Sequence, residues 1–279
     1  MTAGSKKPLD WPVERLPSAI TTFCRKTADI IAALPVGDFE SGREAEFAAW
    51  LSPADEYGVW MQTRQAGQLR PFDAGQVAKL CERGASEIAV QHLLRDPDFE
   101  LSIAELGHVA VLGREGLEPG VRQKRVFTQA DDQGRRTEFI PVQHVAQSLD
   151  RICTIWNEAS HETPDVFTAL WIWVAITNAH PFQDGNGRLG RALMNAYLIR
   201  TGLNRHGPIP FGALKYAAQG NFEAAVRYME ATGDWLPLVK VFNVLIGSYS
   251  ILFERFQRAN EKSLAEPRQA MELKVGVRK

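Results

Sequence analysis

One apolar helix constrains the fold of this chain more than any other feature of the sequence. Thr163-Pro164 has the pattern of an N-cap followed by proline at the first helical position, and mainly apolar residues continue from Phe167 to about Ala179. They cover most of the helix surface, so other elements must enclose this helix. The stretch is too short to cross a bilayer. The sequence therefore predicts a central, buried helix in a mainly helical protein.

Most of the remaining chain also has helical periodicity. The N-terminal part contains three stretches with apolar residues at helical spacing, separated by Gly and Pro: Leu16–Leu34, Gly37–Leu51 and Phe72–Leu94. Asp96-Pro97-Asp98 has the composition of a joint, and Ser102-Ile-Ala-Glu105 has the spacing of a capping box that opens another helix. These breaks predict an N-terminal helical region over 1–95, a core domain over 96–250, and a C-terminal helix and tail over 251–279.

One region departs from the helical pattern. Arg125–Gln129 and Arg136–Ile140 are short runs rich in β-branched and aromatic residues, and Asp131-Asp-Gln-Gly134 between them has turn chemistry. This combination predicts a β-hairpin. Because Pro141 cannot donate to a ladder, its strand is expected to lie at an edge.

Composition excludes several classes of function. The 279 residues are 45% hydrophobic and carry a net charge of −1, so there is a sizeable core and no basic field for nucleic acid. The three cysteines form no CxxC pair, which argues against a disulfide framework or a structural zinc site. The N-terminal lysines have no apolar run behind them, so we expect no signal peptide and no membrane partner. A cytoplasmic protein is expected, or one delivered into a host cytosol if it is an effector.

The segment that follows the central helix carries the chemistry. A further helix is expected from near Arg188 to Arg200, with Gly202 as its C-cap, so His180–Gly187 is a loop between two helices. Backbone N–H groups around Gly185–Gly187, together with the positive end of the second helix, favour an anion cradle.

The charged side chains of this segment complete a site for a phosphate group. Arg188 and Arg191 are three residues apart and share one face of the first helical turn. Asp184 is a hard oxygen ligand suited to Mg²⁺, and His180 is a natural general base for a hydroxyl nucleophile. Phe182 has no chemistry and is assigned to anchoring the loop in the core.

The same stretch contains Gly185-Asn-Gly187-Arg-Leu-Gly190, which spells the GxGxxG dinucleotide fingerprint. That fingerprint requires a preceding strand and a βαβ unit. Here a helix precedes it, so a Rossmann site is not expected.

The residues His180-Pro-Phe-Gln-Asp-Gly-Asn-Gly-Arg188 and Arg191 match the pattern HPFx(D/E)GNGRxxR at every specified position. The chain thus resembles the Fic-domain proteins, whose signature this is. The resemblance extends more loosely from about Leu101 to Leu245 and includes the Pro119–Arg122 turn, the hairpin and Leu193-Met-Asn195. It does not reach the residues before 95.

The resemblance implies an all-α core that carries the motif loop, with a β-hairpin flap over the site. It implies transfer of AMP from ATP to a Tyr, Thr or Ser hydroxyl of a target protein, by attack at the α-phosphate with pyrophosphate leaving. The implied roles are a base (His180), a Mg²⁺ ligand (Asp184), contacts to the α- and β-phosphates (Gly185, Asn186, Gly187), to the β-phosphate (Arg188) and to the γ-phosphate (Arg191). The flap residues Thr137, Glu138 and Phe139 would pair with an extended target segment by strand addition.

Several alternatives stay open at this stage. Relatives that transfer phosphate from ATP have Lys at the position of Gly187, so phosphate transfer ranks second. Transfer of UMP or GMP, self-modification and a catalytically silent nucleotide-binding module are the others. Relatives often contact adenine through a Tyr pair and an Asn, where this chain has Glu223-Ala224 and Ala231; the nearby Tyr216, Asn221 and Tyr228 are candidates to substitute.

Control of the site is a separate question. Many relatives carry an inhibitory helix with the pattern (S/T)xxxE(G/N), whose Glu pairs with the second motif arginine. Three segments fit the first five positions: Ser52–Glu56, Thr154–Glu158 and Ser250–Glu254. None is followed by Gly or Asn, and Ser250–Glu254 is the preferred one. If none acts, inhibition would come from a small partner protein or be absent.

Overall fold

A computed structural model describes residues 2–12, 16–36, 47, 85–96, 98–112, 116–128, 134, 136–159, 165–217 and 220–275. In chain order the elements are β1 (Thr2–Ser5), α1 (Ser18–Ala32), α2 (Ala85–Leu94), α3 (Ile103–Val111), β2 (Arg136–Glu138), a 3₁₀ turn (Val142–His144), α4 (Val145–Ala159), α5 (Val166–Ala179), α6 (Asn186–Arg200), α7 (Phe211–Ala217), α8 (Asn221–Thr232) and α9 (Leu236–Val275). The predicted all-α class with a small β component is confirmed.

Helix α5 lies at the centre, as its apolar surface predicts. Nearly every residue from Val166 to Ala179 is buried, and α1, α4 and α6 pack around it. Its start differs from the prediction, because Asp165 is the N-cap and its side chain accepts a hydrogen bond from Thr168 N at 2.6 Å. Thr163-Pro164, the predicted start, lies outside the described residues. An aspartate oxygen satisfies one of the N–H groups that a helix start leaves without a partner.

The other predicted helix signals have mixed outcomes. Ser102 caps α3 by accepting from Glu105 N, as the capping-box spacing predicts. The C-cap of α6 is Thr201, one residue before the predicted Gly202, which follows it with φ +73° and donates to Ile199 O at 3.0 Å. Helix α6, however, begins at Asn186, two residues before the predicted start.

The N-terminal region joins the same core. Side chains of α1, including Ile20, Cys24 and Ile31, are buried with those of α5 and α9 in one cluster. The predicted helix over Gly37–Leu51 lies outside the described residues except Phe47, and of Phe72–Leu94 the structure describes the part from Ala85. The domain boundaries stay predictions.

The flap sheet differs from the predicted hairpin in one respect. Val126–Thr128 does run antiparallel to β2, with Phe139 N donating to Val126 O at 2.9 Å and Thr128 N to Thr137 O at 2.8 Å. The expected edge position of β2 is wrong, because β1 pairs with its other side in parallel. Since β2 ends at Glu138, the missing N–H of Pro141 does not interfere. Residues 2–5 were expected in a helical region and form this strand instead.

Helix α9 contains the longest apolar stretch in the described part of the chain. Leu236–Arg258 is long and apolar enough to cross a membrane by length and composition alone. Half of it is buried inside the protein, where Phe242, Ile246 and Tyr249 pack in the core. A buried core helix passes the same test of length and composition.

Candidate functional site

His180 ends helix α5 in a left-handed conformation. Its φ and ψ are 45° and 54°, and within the described ranges it is the only non-glycine residue with positive φ. This conformation costs free energy and persists where neighbours hold it in place. His180 N donates to Ile176 O at 2.9 Å, and its carbonyl accepts from Arg122 Nε at 2.8 Å.

Arg122 holds the flap against the motif loop. Its side chain is buried and donates to the carbonyls of Lys124 at 2.9 Å, Ile140 at 2.5 Å and Ala179 at 3.3 Å, in addition to that of His180. Arg122 is therefore not a solvated side chain, although it lies in a turn. Its only sequence signal is its place in the Pro119–Arg122 turn, because the groups it binds are distant along the chain.

The imidazole of His180 is kept neutral. Phe139 stacks on it with ring centroids 4.0 Å apart and an interplanar angle of 21°. Burial, followed by the positive charges of Arg122 and Lys6, lowers the pKa of His180 to about 4, while Asp184 and the backbone of Thr177 act in the opposite direction. A histidine with this pKa is unprotonated at cellular pH and able to accept a proton. Since Nδ1 is buried, Nε2 is the nitrogen left to reach a hydroxyl.

The start of α6 is the place where the sequence predicts a cradle for an anion. Gly185 has φ +85° and precedes the first helical turn, whose N–H groups have no carbonyl four residues back to bind. A Cβ on Gly185 would lie 2.4 Å from Ala110 O, so close packing alone excludes a side chain there. Arg188 and Arg191 are each only 7% exposed. Cβ positions built on Gly185 and Gly187 would lie 3.3 Å from Arg188 Nη2 and 3.5 Å from Arg191 Nη1, so both cations border the glycine loop.

The side chain of Asn186 forms hydrogen bonds within the motif loop. Its Oδ1 accepts from Phe182 N at 2.9 Å, its Nδ2 donates to Phe182 O at 2.8 Å, and the residue is 2% exposed. The side chain therefore closes the loop and is not directed at a phosphate. Only its backbone N–H, in the first turn of α6, belongs to the cradle. Phe182 is 2% exposed, which agrees with its predicted role as the anchor of the loop.

Asp184 is placed where a hydrated cation can reach it. Its side chain is exposed, and Oδ1 accepts from Gly185 N at 2.6 Å. The described residues contain no group of three or more side chains that would hold a metal by themselves. A single exposed carboxylate beside an anion cradle fits Mg²⁺, which keeps several waters and is commonly shared between one or two carboxylates and a phosphate group.

The third glycine of the GxGxxG string has a packing role. A Cβ on Gly190 would lie 2.7 Å from Trp173 Cδ1 and 3.0 Å from Trp173 O. Helices α5 and α6 therefore approach closely at this point. This explains the resemblance to a dinucleotide fingerprint without a Rossmann unit.

The flap residues have divided roles. Glu138 is buried and binds Arg125 through two hydrogen bonds of 2.7 and 2.6 Å, which hold its pKa below the usual value. Thr137 N donates to Thr128 Oγ1 at 3.0 Å. Phe139 is the flap residue that contacts His180. The structure thus brings the flap and the motif loop together, as predicted.

Lys6 and Glu230 meet beside the site, and sequence reasoning did not identify either. Lys6 Nζ lies 2.8 Å from Glu230 Oε1 and 4.8 Å from the centroid of the Phe139 ring. The same oxygen of Glu230 accepts from Asn178 Nδ2 at 2.9 Å. The two ion-paired residues are 224 positions apart, so no local pattern indicates the contact.

The candidates for base recognition are not joined to the loop by any contact that the structure describes. Asn221 and Tyr228 both lie on α8 with exposed side chains. Tyr216 lies on α7, and its side chain is outside the described residues. Glu223 pairs with Lys215 at 2.8 Å. Recognition of adenine by these residues stays a prediction.

The preferred inhibitory segment is not positioned to act. Ser250–Glu254 lies on α9, where Glu254 is exposed and pairs with Arg258 at 3.7 Å instead of Arg191. Thr154 and Glu158 are exposed on α4. Ser52–Glu56 lies outside the described residues.

Comparison with known proteins gives a consistent picture. Residues 101–198 match the family model described as the Fic/DOC family. A Fido domain-containing protein of Dictyostelium discoideum is 36% identical over 83 residues, which are 30% of this chain and 55% of that protein. The chain thus spans about half the length of that curated relative.

Two solved structures share the fold. A Fic family protein from Desulfovibrio desulfuricans has a TM-score of 0.56 at 16% identity, over 91% of this chain and 78% of that one. Fic-1 from C. elegans has a TM-score of 0.52 at 17% identity, over 88% and 72%. The two structures show that this chain has the fold of solved Fic-family proteins, and the segment that matches the Fic/DOC family model, 101–198, contains the whole motif from His180 to Arg191.

Proposed function

We propose that this protein transfers AMP from ATP to the hydroxyl group of a Tyr, Thr or Ser side chain in a target protein. Members of the Fic/DOC family transfer nucleotides or other phosphate-containing groups to proteins, although some are inactive. The observation that carries the proposal is the pairing of a neutral histidine with an anion cradle. His180 has a pKa of about 4, and the buried Arg188 and Arg191 border the glycine loop beside it.

Each group has a defined part in the proposed reaction. His180 Nε2 accepts the proton of the target hydroxyl, whose oxygen then forms a bond to the α-phosphorus as the bond to pyrophosphate breaks. The first-turn N–H groups of α6 and the guanidiniums of Arg188 and Arg191 hold the phosphates and stabilise the charge on the leaving group. Asp184 would hold Mg²⁺, which when bound neutralises charge on the phosphates.

Gly187 supports nucleotide transfer over phosphate transfer. A Cβ there would lie 3.5 Å from Arg191 Nη1, so a longer side chain would enter the space beside this cation. A lysine would introduce a positive charge next to Arg191 and change which phosphate can lie there. Glycine leaves the space open for the β- and γ-phosphates.

The test is transfer of label to lysate proteins in the presence of Mg²⁺. Each of the four α-labelled nucleotides is supplied in turn, with γ-labelled ATP in parallel. We expect α-labelled ATP to label lysate proteins and His180→Asn to abolish this labelling. Asparagine is chosen because it tolerates the left-handed backbone and so preserves the fold. Label from γ-labelled ATP alone would favour phosphate transfer, and nucleotide binding without transfer would favour a silent module. Asp184→Asn, an exposed change, should raise the Mg²⁺ concentration needed for half-maximal transfer.

A further inference from the structure

The flap strand β2 has both of its edges occupied among the described residues. One edge pairs with Val126–Thr128, the neighbouring segment of the flap. On the other, Ser5 lies opposite Glu138, and Lys6 N donates to Glu138 O at 2.8 Å. A target segment that binds the flap by strand addition requires a vacant edge. The edge held by β1 can be vacated without taking the flap apart.

A side-chain anchor accompanies this pairing. Lys6 places its ammonium group on Glu230 and over the ring of Phe139. The side chains of Lys6 and Glu230 are only 13% and 11% exposed, so the ion pair is largely shielded from solvent. Glu230 is itself oriented by Asn178. The surface beside the flap therefore offers a fixed carboxylate to a lysine that follows a paired strand.

The paired segment is weakly held, but the residues after it are firmly held. Gly4 and Ser5 are exposed, and the register between β1 and β2 is irregular; so short a strand pair has little stability of its own. Beyond it, Trp11 packs against Phe167 and Trp171, with ring centroids 5.9 and 5.2 Å apart. If the strand leaves β2, this tether keeps it at a high effective concentration.

We propose that Thr2–Lys6 is an internal competitor for the target-binding edge of the flap, and that this surface accepts extended segments with a lysine placed as Lys6 is. The identity of the edge as a target site rests on the proposed function. A target binds only the molecules in which Thr2–Lys6 has left β2. Its apparent affinity is its intrinsic affinity multiplied by the fraction of molecules in that state. Release of the segment then regulates access to His180 without any change in the motif loop.

The test uses substitutions in the full chain. Lys6→Pro removes both the N–H that binds Glu138 and the ammonium group that binds Glu230. Lys6→Ala removes only the ammonium group. Lys7→Ala is the matched control, because Lys7 is exposed and its side chain makes no hydrogen bond, ion pair or ring contact with the described residues.

The first measurement does not depend on catalysis. A synthetic peptide of residues 2–8 is titrated into the isotope-labelled full chain, and the amide resonances of β2 are followed by NMR. We expect the peptide to bind Lys6→Pro at least tenfold more tightly than the wild type or Lys7→Ala, and to lose this gain when Glu230→Gln is added. Equal affinity for all four proteins would overturn the proposal. If Lys6→Pro does not fold, Lys6→Ala takes its place, with a smaller gain expected.

The second measurement is transfer from α-labelled ATP to lysate proteins. Lys6→Pro should label them at least three times as strongly as the wild type, with Lys7→Ala unchanged. If β1 has left β2 in the variant, and the variant labels lysate proteins no more strongly than an active wild type, competition for targets is refuted. If no protein transfers label from any nucleotide, the proposed function fails, and the peptide titration alone decides whether the segment competes for the edge.

Discussion

Phe139 covers the His180 imidazole with its ring, at 4.0 Å between centroids. The flap and the catalytic candidate are thus in direct contact, and the protonation of His180 depends on where the flap lies. Burial is the largest cause of the lowered pKa of about 4, and Phe139 supplies part of that burial.

Phe139→Ala should therefore raise the pKa of His180 from about 4 toward its ordinary value of 6.5. NMR titration of the His180 ring measures this directly. The proposed base must be neutral, so wild-type transfer should persist down to about pH 5, whereas the variant should lose transfer as pH falls through its higher pKa. Phe127→Ala is the control, because this flap aromatic makes no described ring contact with His180. An unchanged His180 pKa in Phe139→Ala would contradict the inference that the Phe139 ring contributes to the burial of this imidazole.

The same shift predicts how stability varies with pH. The pKa of His180 is about 4 in the folded protein and near 6.5 in the unfolded chain, so the unfolded state binds more protons between these values. The contribution of His180 to the free energy of unfolding is fully present above pH 6.5. It is lost as pH falls toward 4, to a total of about 3 kcal/mol. His180→Asn should flatten the pH dependence of the free energy of unfolding in this window, as measured by urea denaturation. Parallel curves for the two proteins would argue against a depressed pKa.

Arg122→Ala should destabilise the protein by about 2–5 kcal/mol, because buried carbonyls lose their donor. Arg122→Lys should recover only part of this, since one ammonium group cannot reproduce the fork of a guanidinium. Thermal and urea unfolding measure both. Arg136→Ala, an exposed change on the same flap, should stay within about 0.5 kcal/mol of the wild type. Similar losses for Arg122→Ala and Arg136→Ala would rule out the bridging role.

A feature can be predicted from the sequence when the residues that form it lie close together along the chain. The His180–Arg191 motif can be predicted because its residues are consecutive and the helices that carry its two ends have strong local patterns. The bridging role of Arg122 cannot be predicted in this way, because its acceptors, such as Ile140 and Ala179, are brought to it only in the folded chain. The pairing of β1 with β2 was missed for the same reason. A four-residue strand that contains Gly4 has no periodicity to detect, and its partner lies more than a hundred residues away.

Asn186→Ala should lower the free energy of unfolding, and this effect should be larger than any effect on nucleotide affinity. Two buried hydrogen bonds to Phe182 are lost, and the backbone groups of Phe182 remain buried without those partners. A loss of about 2–4 kcal/mol is expected in urea unfolding. If the side chain instead bound phosphate, the variant would keep its stability and lose only nucleotide affinity. Calorimetric titration with ATP and Mg²⁺ at a temperature where both proteins are folded separates these outcomes.

Alanine substitutions at Gly187 and Gly190 distinguish an effect on the anion cradle from an effect on the packing of α5 against α6. In Gly190→Ala the new methyl group would lie 2.7 Å from Trp173 Cδ1 and 3.0 Å from its carbonyl oxygen. The overpacking between α5 and α6 should cost about 1–3 kcal/mol or more. In Gly187→Ala the nearest atom would be Arg191 Nη1 at 3.5 Å, an ordinary contact, so stability should change by less than about 1 kcal/mol.

Nucleotide binding should rank the two variants in the opposite order. The methyl group of Gly187→Ala would lie 3.5 Å from Arg191 Nη1, beside the space assigned to the phosphates, so affinity for ATP and Mg²⁺ should fall at least tenfold. Gly190→Ala, measured below its melting temperature, should keep most of its affinity because Gly190 faces Trp173 and not the cradle. Wild-type affinity in Gly187→Ala would place the phosphates elsewhere and remove the main support for the role of this loop.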